Sequence, residues 1–198
     1  MTHEKQESIL SFWFGDDSLR LTDRISMWFS HSPAFDTLVI SRFAHLVEEA
    51  TSGAFDDWVK TPRGALALVL LLDQFPRHMY RDDPEAFAND AHARKIAETA
   101  IDHGLDQALS ATERIFLYLP LEHSEDLIPQ DRAVKLFGEL LEIARGDEKK
   151  LIAEALSYAV KHRNCIEKFG RFPHRNSVLG REDSKEEREF LKRPDSHF

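Results

Sequence analysis

The chain has 198 residues, 42% of them apolar and 31% charged, a composition that can bury a core of its own and excludes a low-complexity polymer. Its net charge of −9 argues against broad binding to nucleic acid or to an anionic membrane surface, while leaving room for a local basic site. The single cysteine, Cys165, excludes an internal disulfide and fits a reducing cytosol.

Helical periodicity recurs from one end of the chain to the other. The opening "MTHEKQESILSFWF" has mixed charge and only a short apolar patch, so it reads as a first helix from Glu4 to Phe14, not a secretory leader, with Gly15 as its stop. A second helix from Pro33 to about Thr51 carries Phe35, Leu38, Val39, Phe43, Leu46, Val47 and Ala50 at three- and four-residue steps, and Gly53 ends it. Thr61 can cap a third helix with Pro62 in its first turn. That helix contains "ALALVLLL", eight apolar residues, far short of the roughly 20 needed to span a membrane. Apolar nearly all round, it should be central.

Pro84 is expected to open a long helix to about His103, closed by Gly104, whose Ala86, Ala88, Ala91, Ala93, Ala97 and Ala100 allow close approach of neighbouring backbones. Ser110 and Glu113 have capping-box spacing ahead of "RIFLYL". The next helix should run from Pro129 to Arg145 with Gly146 after it, showing Ala133, Phe137, Leu140, Leu141 and Ala144 on one stripe. Asp147 to about Lys168 presents Leu151, Ala155, Tyr158, Ala159, His162 and Ile166 together, and Ser184 with Glu187 marks a short last helix. Nothing alternates as a strand does. The fold class is therefore all-α, about seven to nine helices with short loops, in a single domain over residues 1–198. A tetratricopeptide-like array of helical hairpins is the expected architecture, although no clean repeat period is visible and a compact bundle is the alternative.

Three stretches carry a family likeness: "LALVLLLDQFPRHMYR" (66–81), "RIFLYLPLEHSEDLIPQ" (114–130) and "HRNCIEKFGRFPHRNSVLGRE" (162–182). With "ILSFWFGD" near the start, the chain resembles the bacterial domain-of-unknown-function family numbered 924 over nearly its whole length. The resemblance implies an all-α, tetratricopeptide-like fold and a set of landmarks, but no activity. His78 departs from it, standing where the family pattern leads one to expect Asn.

The chemistry-bearing residues each have a bland reading beside the functional one. Asp73 follows eight apolar residues and lies near a helix C-terminus, where the macrodipole disfavours a carboxylate without a cation. Arg77, one turn on, or Arg171 or Arg175 from elsewhere, would make it a staple; the alternative is an acid at the floor of a site. Glu122, His123, Glu125 and Asp126 fall within "PLEHSED" and could do acid–base work, but no ligand spacing for a metal is present and helix-terminal capping is the plainer role. His162 is either a hydrogen-bonded core histidine or part of a site with the basic motif that follows it. Cys165 has His162 and Lys168 three residues to either side, which could activate a thiol, yet it reads as a packed small side chain. Trp13, Trp28 and Trp58 read as core.

The motif "FGRFPHRNSVLGR" concentrates positive charge: from Glu167 to Arg181 four cations against one acid leave +3. Phe169, Phe172 and Leu179 can anchor the turn that Pro173 forces, giving Arg171, His174, Arg175 and Asn176 fixed directions. Guanidinium forks match carboxylates and phosphates, so these four could recognise an anion, with His123, His162, Asp73 and Arg77 lining or supporting the pocket. Alternatively the arginines pair internally with Asp73, Glu122, Glu125 or Asp126 and lock the turn. The functional expectation is a cytoplasmic binding protein for a small anion or acidic peptide, with no cofactor, no metal, no nucleic-acid or membrane partner, and a homodimer left open. The alternative is a metal-independent or metal-assisted acid–base hydrolase using His123 or His162, oriented by Glu122 or Asp126, with Arg175 stabilising negative charge.

Overall fold

Helix starts are set by side-chain caps, those at Thr61, Ser110 and Ser184 at the expected places. The computed structural model describes residues 2–15, 21–194 and 196. Ser32 Oγ accepts from the Phe35 N–H (3.4 Å) and Thr61 Oγ1 from the Gly64 N–H (3.2 Å), opening α3 (Pro33–Thr51) and α4 (Pro62–Val69), each with proline at its start. Gly64 is obligatory there, since a Cβ would meet the Trp58 carbonyl oxygen at 2.4 Å and Thr61 Oγ1 at 2.6 Å. Both capping boxes form, Ser110 with Glu113 ahead of α7 and Ser184 with Glu187 ahead of α10.

Element by element the described chain is helical, with no strand: α1 (Thr2–Phe14), α2 (Leu21–Phe29), α3, then α4 running through a π turn (Leu70–Gln74) into α5 (Phe75–Met79). There follow α6 (Asp90–Asp102), α7 (Ala111–Glu122), α8 (Leu127–Ile143), α9 (Gly146–Phe169) and α10 (Lys185–Leu191). Counting α4–α5 as one rod gives nine helices among the described residues, in line with the expected all-α class. The π turn has a local cause. Pro76 lacks an N–H and its ring would crowd the carbonyl a normal turn back, and the widened turn, closed by the Phe75 N–H on the Leu70 carbonyl, relieves that clash.

Three boundaries differ from the sequence expectation. Pro84 opens only a 3-10 turn (Pro84–Phe87), and α6 begins at Asp90. α8 starts at Leu127 because the Asp126 carboxylate accepts from the Ile128 N–H (3.1 Å), and Pro129 is tolerated in the first turn, where N–H groups have no helical partner. Gly146 begins α9 instead of following the end of α8. α2 was not anticipated; the Trp28 Nε1–H donates to the Trp13 carbonyl (2.9 Å) and ties it to α1.

The described residues group into two compact units, Met1–Arg81 with Glu85–Asp106, and Asp82–Pro84 with Gln107–Phe198. In the first, α3 packs on α5, and α4 on α1 and α6. Its centre is aromatic: Phe75 lies 5.4 Å from Trp13 and 4.9 Å from Phe43, ring to ring. Trp13, Trp28 and Trp58 are all buried. His78 is buried against Trp13 and Phe35 and its Nδ1 lies 2.9 Å from Asp36 Oδ1, while Arg81 forks the same carboxylate at 2.6 and 2.7 Å. In the second unit α8 packs on α9 and on α7, and α7 also touches α9. No described helix is long and apolar enough to cross a membrane.

Candidate functional site

Asp73 and Arg77 belong to the first unit, and the other predicted site residues to the second. Asp73 is fully buried; Arg77 Nη1 lies 3.3 Å from its carboxylate, donates to its backbone carbonyl, and reaches Asp90 on α6 at 3.0 Å. Burial works against the Arg77 charge, but Asp73 and Asp90 outweigh it and raise its pKa. This is the staple arrangement, drawn with Arg77 and completed by an acid, Asp90, that the sequence did not single out.

The C-terminal motif is built on the end of α9. Gly170, at φ 67°, takes the left-handed conformation that ends the helix. Phe172 is extended before Pro173, and Pro173–Arg175 forms a single 3-10 turn. Phe172 is wholly buried with Cys165 and Ile166, and Leu127, Phe169 and Phe190 pack against them. Glu125 and Arg181 clamp its backbone from both sides: the Phe172 N–H donates to Glu125 Oε1 (2.8 Å) and Arg181 Nη2 donates to the Phe172 carbonyl (3.1 Å). Arg181 also forks Glu125 at 2.7 and 2.9 Å. Burial pushes the Glu125 carboxyl up, but the Arg181 and Phe172 hydrogen bonds and the Arg181 and Arg175 charges hold it below its ordinary value.

Arg171 and Asn176 have partners within the turn. The Arg171 guanidinium forks Glu187 at 2.6 and 2.8 Å and donates to the Glu182 carbonyl at 2.8 Å. The hydrogen bond from Arg171, ahead of the burial that opposes it and the Ser184 cap that assists it, holds the Glu187 carboxyl down to about 2. Asn176 Nδ2 donates to Asp183 at 2.7 Å. Asp126 is the α8 cap already described, and Arg163 pairs with Asp131 on α8.

A second group does converge, from two helices and the turn. Glu122, the last residue of α7, is buried, and its Oε1 lies 3.0 Å from Nδ1 of buried His162 on α9. The same Nδ1 is 2.9 Å from the Tyr158 carbonyl, so with two acceptors before it Nδ1 carries the proton in the neutral ring. Half-buried His123 sits with its ring 6.3 Å from that of His162. The Phe172 ring is the hub: His162 meets it edge-on at 5.3 Å, half-buried His174 lies at 5.5 Å, and the guanidinium of buried Arg175 covers it at 4.5 Å. Burial first, then the neighbouring charge of His123, Arg175 and His174, pushes the His162 pKa well below its ordinary value, against the pull of the Tyr158 carbonyl.

A pH dependence of stability follows. Below about pH 6.5 the unfolded chain binds a proton at His162 that the folded chain refuses, so stability is present above that pH and is lost as pH falls. His78, also lowered chiefly by burial, contributes with the same sign. Thermal melts from about pH 7.5 to about pH 5 should show a falling Tm, the unfolding free energy dropping with a limiting slope of about 1.4 kcal/mol per pH unit for each such histidine. His162→Asn, which keeps a donor near the Nδ1 position and cannot titrate, should flatten the slope; an unaltered slope would exclude His162 as the group.

Cys165 is buried, its Sγ 3.7 Å from the Arg171 carbonyl, and burial with the charges of Glu125 and Glu187 pushes its thiol up to about 12. A nucleophilic thiolate is therefore disfavoured. Among the described residues no group of three or more His, Cys, Asp or Glu is placed to hold a metal ion.

The comparisons agree on kinship. A search of the curated proteins gave no match. A solved structure, described as that of a protein of unknown function, ATU0120, from Agrobacterium tumefaciens, is 38% identical, covering 97% of this chain and 99% of that one with a TM-score of 0.82. The family model described as "Bacterial protein of unknown function (DUF924)" matches residues 9–195, which takes in all three stretches that carry the likeness, and the chain belongs to that family.

Proposed function

We propose that the second unit binds a small oxyanion, a carboxylate or phosphate group, at the cluster of Arg175, His174, His123 and His162. The observation that carries the reading is the ring of Phe172, around which one guanidinium and two imidazoles gather within 5.5 Å, with a third imidazole against His162. Holding cationic and imidazole groups together in a part-buried place opposes folding and is a common mark of a site that meets negative charge. His123 and His174 are half-buried, whereas Arg175, His162 and Glu122 are buried. The scaffold reading that goes with it is tetratricopeptide-like: α7, α8 and α9 follow one another through short loops, and α9 returns to touch α7.

Calorimetric titration with phosphate, succinate and an acidic hexapeptide tests the reading and separates a free anion from a peptide side chain as its source. Arg175→Met retains an unbranched stem over Phe172 and removes the charge. At least one of the three ligands should bind the native chain, and the variant should lose at least about tenfold in affinity, as expected for a charge-assisted contact. Equal binding by the two proteins, or none by either, overturns it.

A second reading is favoured by Glu122 Oε1 at 3.0 Å from His162 Nδ1, a carboxylate orienting an imidazole as in general-base catalysis. Arg175 would then stabilise developing negative charge. Turnover of p-nitrophenyl phosphate or acetate that disappears in His162→Asn would favour this reading over simple binding.

A further inference from the structure

We propose that the anion site loads with a proton: binding of an oxyanion at the Phe172 cluster is coupled to proton uptake by its imidazoles, so the site fills as pH falls. This rests on the anion reading and goes beyond it, because it assigns the site a regulator.

The reason is the charge around the cluster, element by element. From the end of α7 and the loop after it come Glu122, His123 and Glu125; from α9 come His162 and Cys165; from the C-terminal turn come His174, Arg175 and Arg181. Arg181 is matched by Glu125 in a two-bond fork. Glu122 and Arg175 remain, one acid and one cation, so with all three imidazoles neutral these groups sum to zero. Beyond its local contact with Arg175, an arriving anion would therefore add one negative charge that this set leaves uncompensated in a low-dielectric place. The imidazoles are the only groups of this set that gain a charge near neutral pH. Cys165 is held as a thiol, and Arg171 and Glu187 already satisfy one another. An anion beside three imidazoles raises their proton affinity, and by linkage a raised proton affinity strengthens the anion. His123, Arg175 and His174 already act on His162 through their charge, so the imidazoles lie close enough to share one field.

Sulfate is the suitable probe, since it does not titrate near neutrality and any proton taken up belongs to the protein. Its affinity for the full chain should rise as pH falls from about 8 to about 6, by up to about tenfold per pH unit where one proton is taken up. The heat of binding should differ between two buffers of unlike ionisation enthalpy. Sulfate that binds with the same affinity across this range, and the same heat in both buffers, overturns the coupling and leaves the anion site standing. Sulfate that binds at neither end of the range overturns the coupling, and the anion reading falls with it when phosphate, succinate and the hexapeptide also fail to bind.

Discussion

Phe172→Ala should destabilise the chain by about 3–5 kcal/mol, measured as the change in unfolding free energy in urea. The side chain is wholly buried and belongs to a cluster with Cys165 and Ile166, against which Leu127, Phe169 and Phe190 pack. Truncation removes its transfer free energy and leaves a cavity whose walls come from α8, α9, α10 and the turn. The backbone clamp limits collapse into that cavity, because the Phe172 N–H and carbonyl are each fixed, by Glu125 and Arg181. Phe172→Leu retains most of the volume and should lose less than about 1.5 kcal/mol, while still removing the ring beneath Arg175. The leucine variant thus separates packing from the site: the anion reading expects weakened ligand binding in a chain that remains folded. A loss below about 1 kcal/mol for the alanine variant would mean that the turn is not anchored by this residue.

The second large effect is at Asp73. Asp73→Ala should destabilise by about 3–5 kcal/mol, because it leaves the part-buried Arg77 guanidinium with one of its two acids gone. The double replacement Asp73→Leu with Arg77→Met should recover much of the loss, since exchanging an ion pair for apolar groups of similar size is often neutral. A double variant no better than the single one would exclude the orphaned Arg77 charge as the source of the loss. Either outcome is read from urea unfolding curves of the three proteins.

Local signals were legible wherever one residue type has one dominant use. Thr61 with Pro62, the Ser110 and Ser184 boxes, and the glycines at 15, 53 and 104 mark helix ends in the structure as they do in the sequence. Pro84 misled because proline fixes only φ, and a 3-10 turn uses the same value as the first turn of an α-helix. The π turn at Leu70–Gln74 left no trace in a run of leucines, which looks alike in any register. Leu38 and Tyr158 lie on the predicted apolar stripes yet are 44% and 47% exposed, because a stripe drawn by period does not say how wide the neighbour is.

At the site, the competition among acids for the arginines was the illegible part. Glu187 has capping-box spacing and does cap α10, but the fork of Arg171 onto both its oxygens depends on where α10 lands beside the turn. The pairing of Glu125 with Arg181 joins a loop to a turn far along the chain and was only one of several combinations the composition allowed. Likewise the approach of Glu122 to His162 requires α7 and α9 to touch, a fact of packing that no spacing within either helix encodes.

The buried thiol has a practical consequence. Cys165 is covered by the turn and held protonated, so an alkylating reagent can reach and react with it only after that turn lifts away. With one sulfhydryl in the whole sequence, the rate of its modification is a built-in clock for local opening of the C-terminal segment, read by mass with no introduced label.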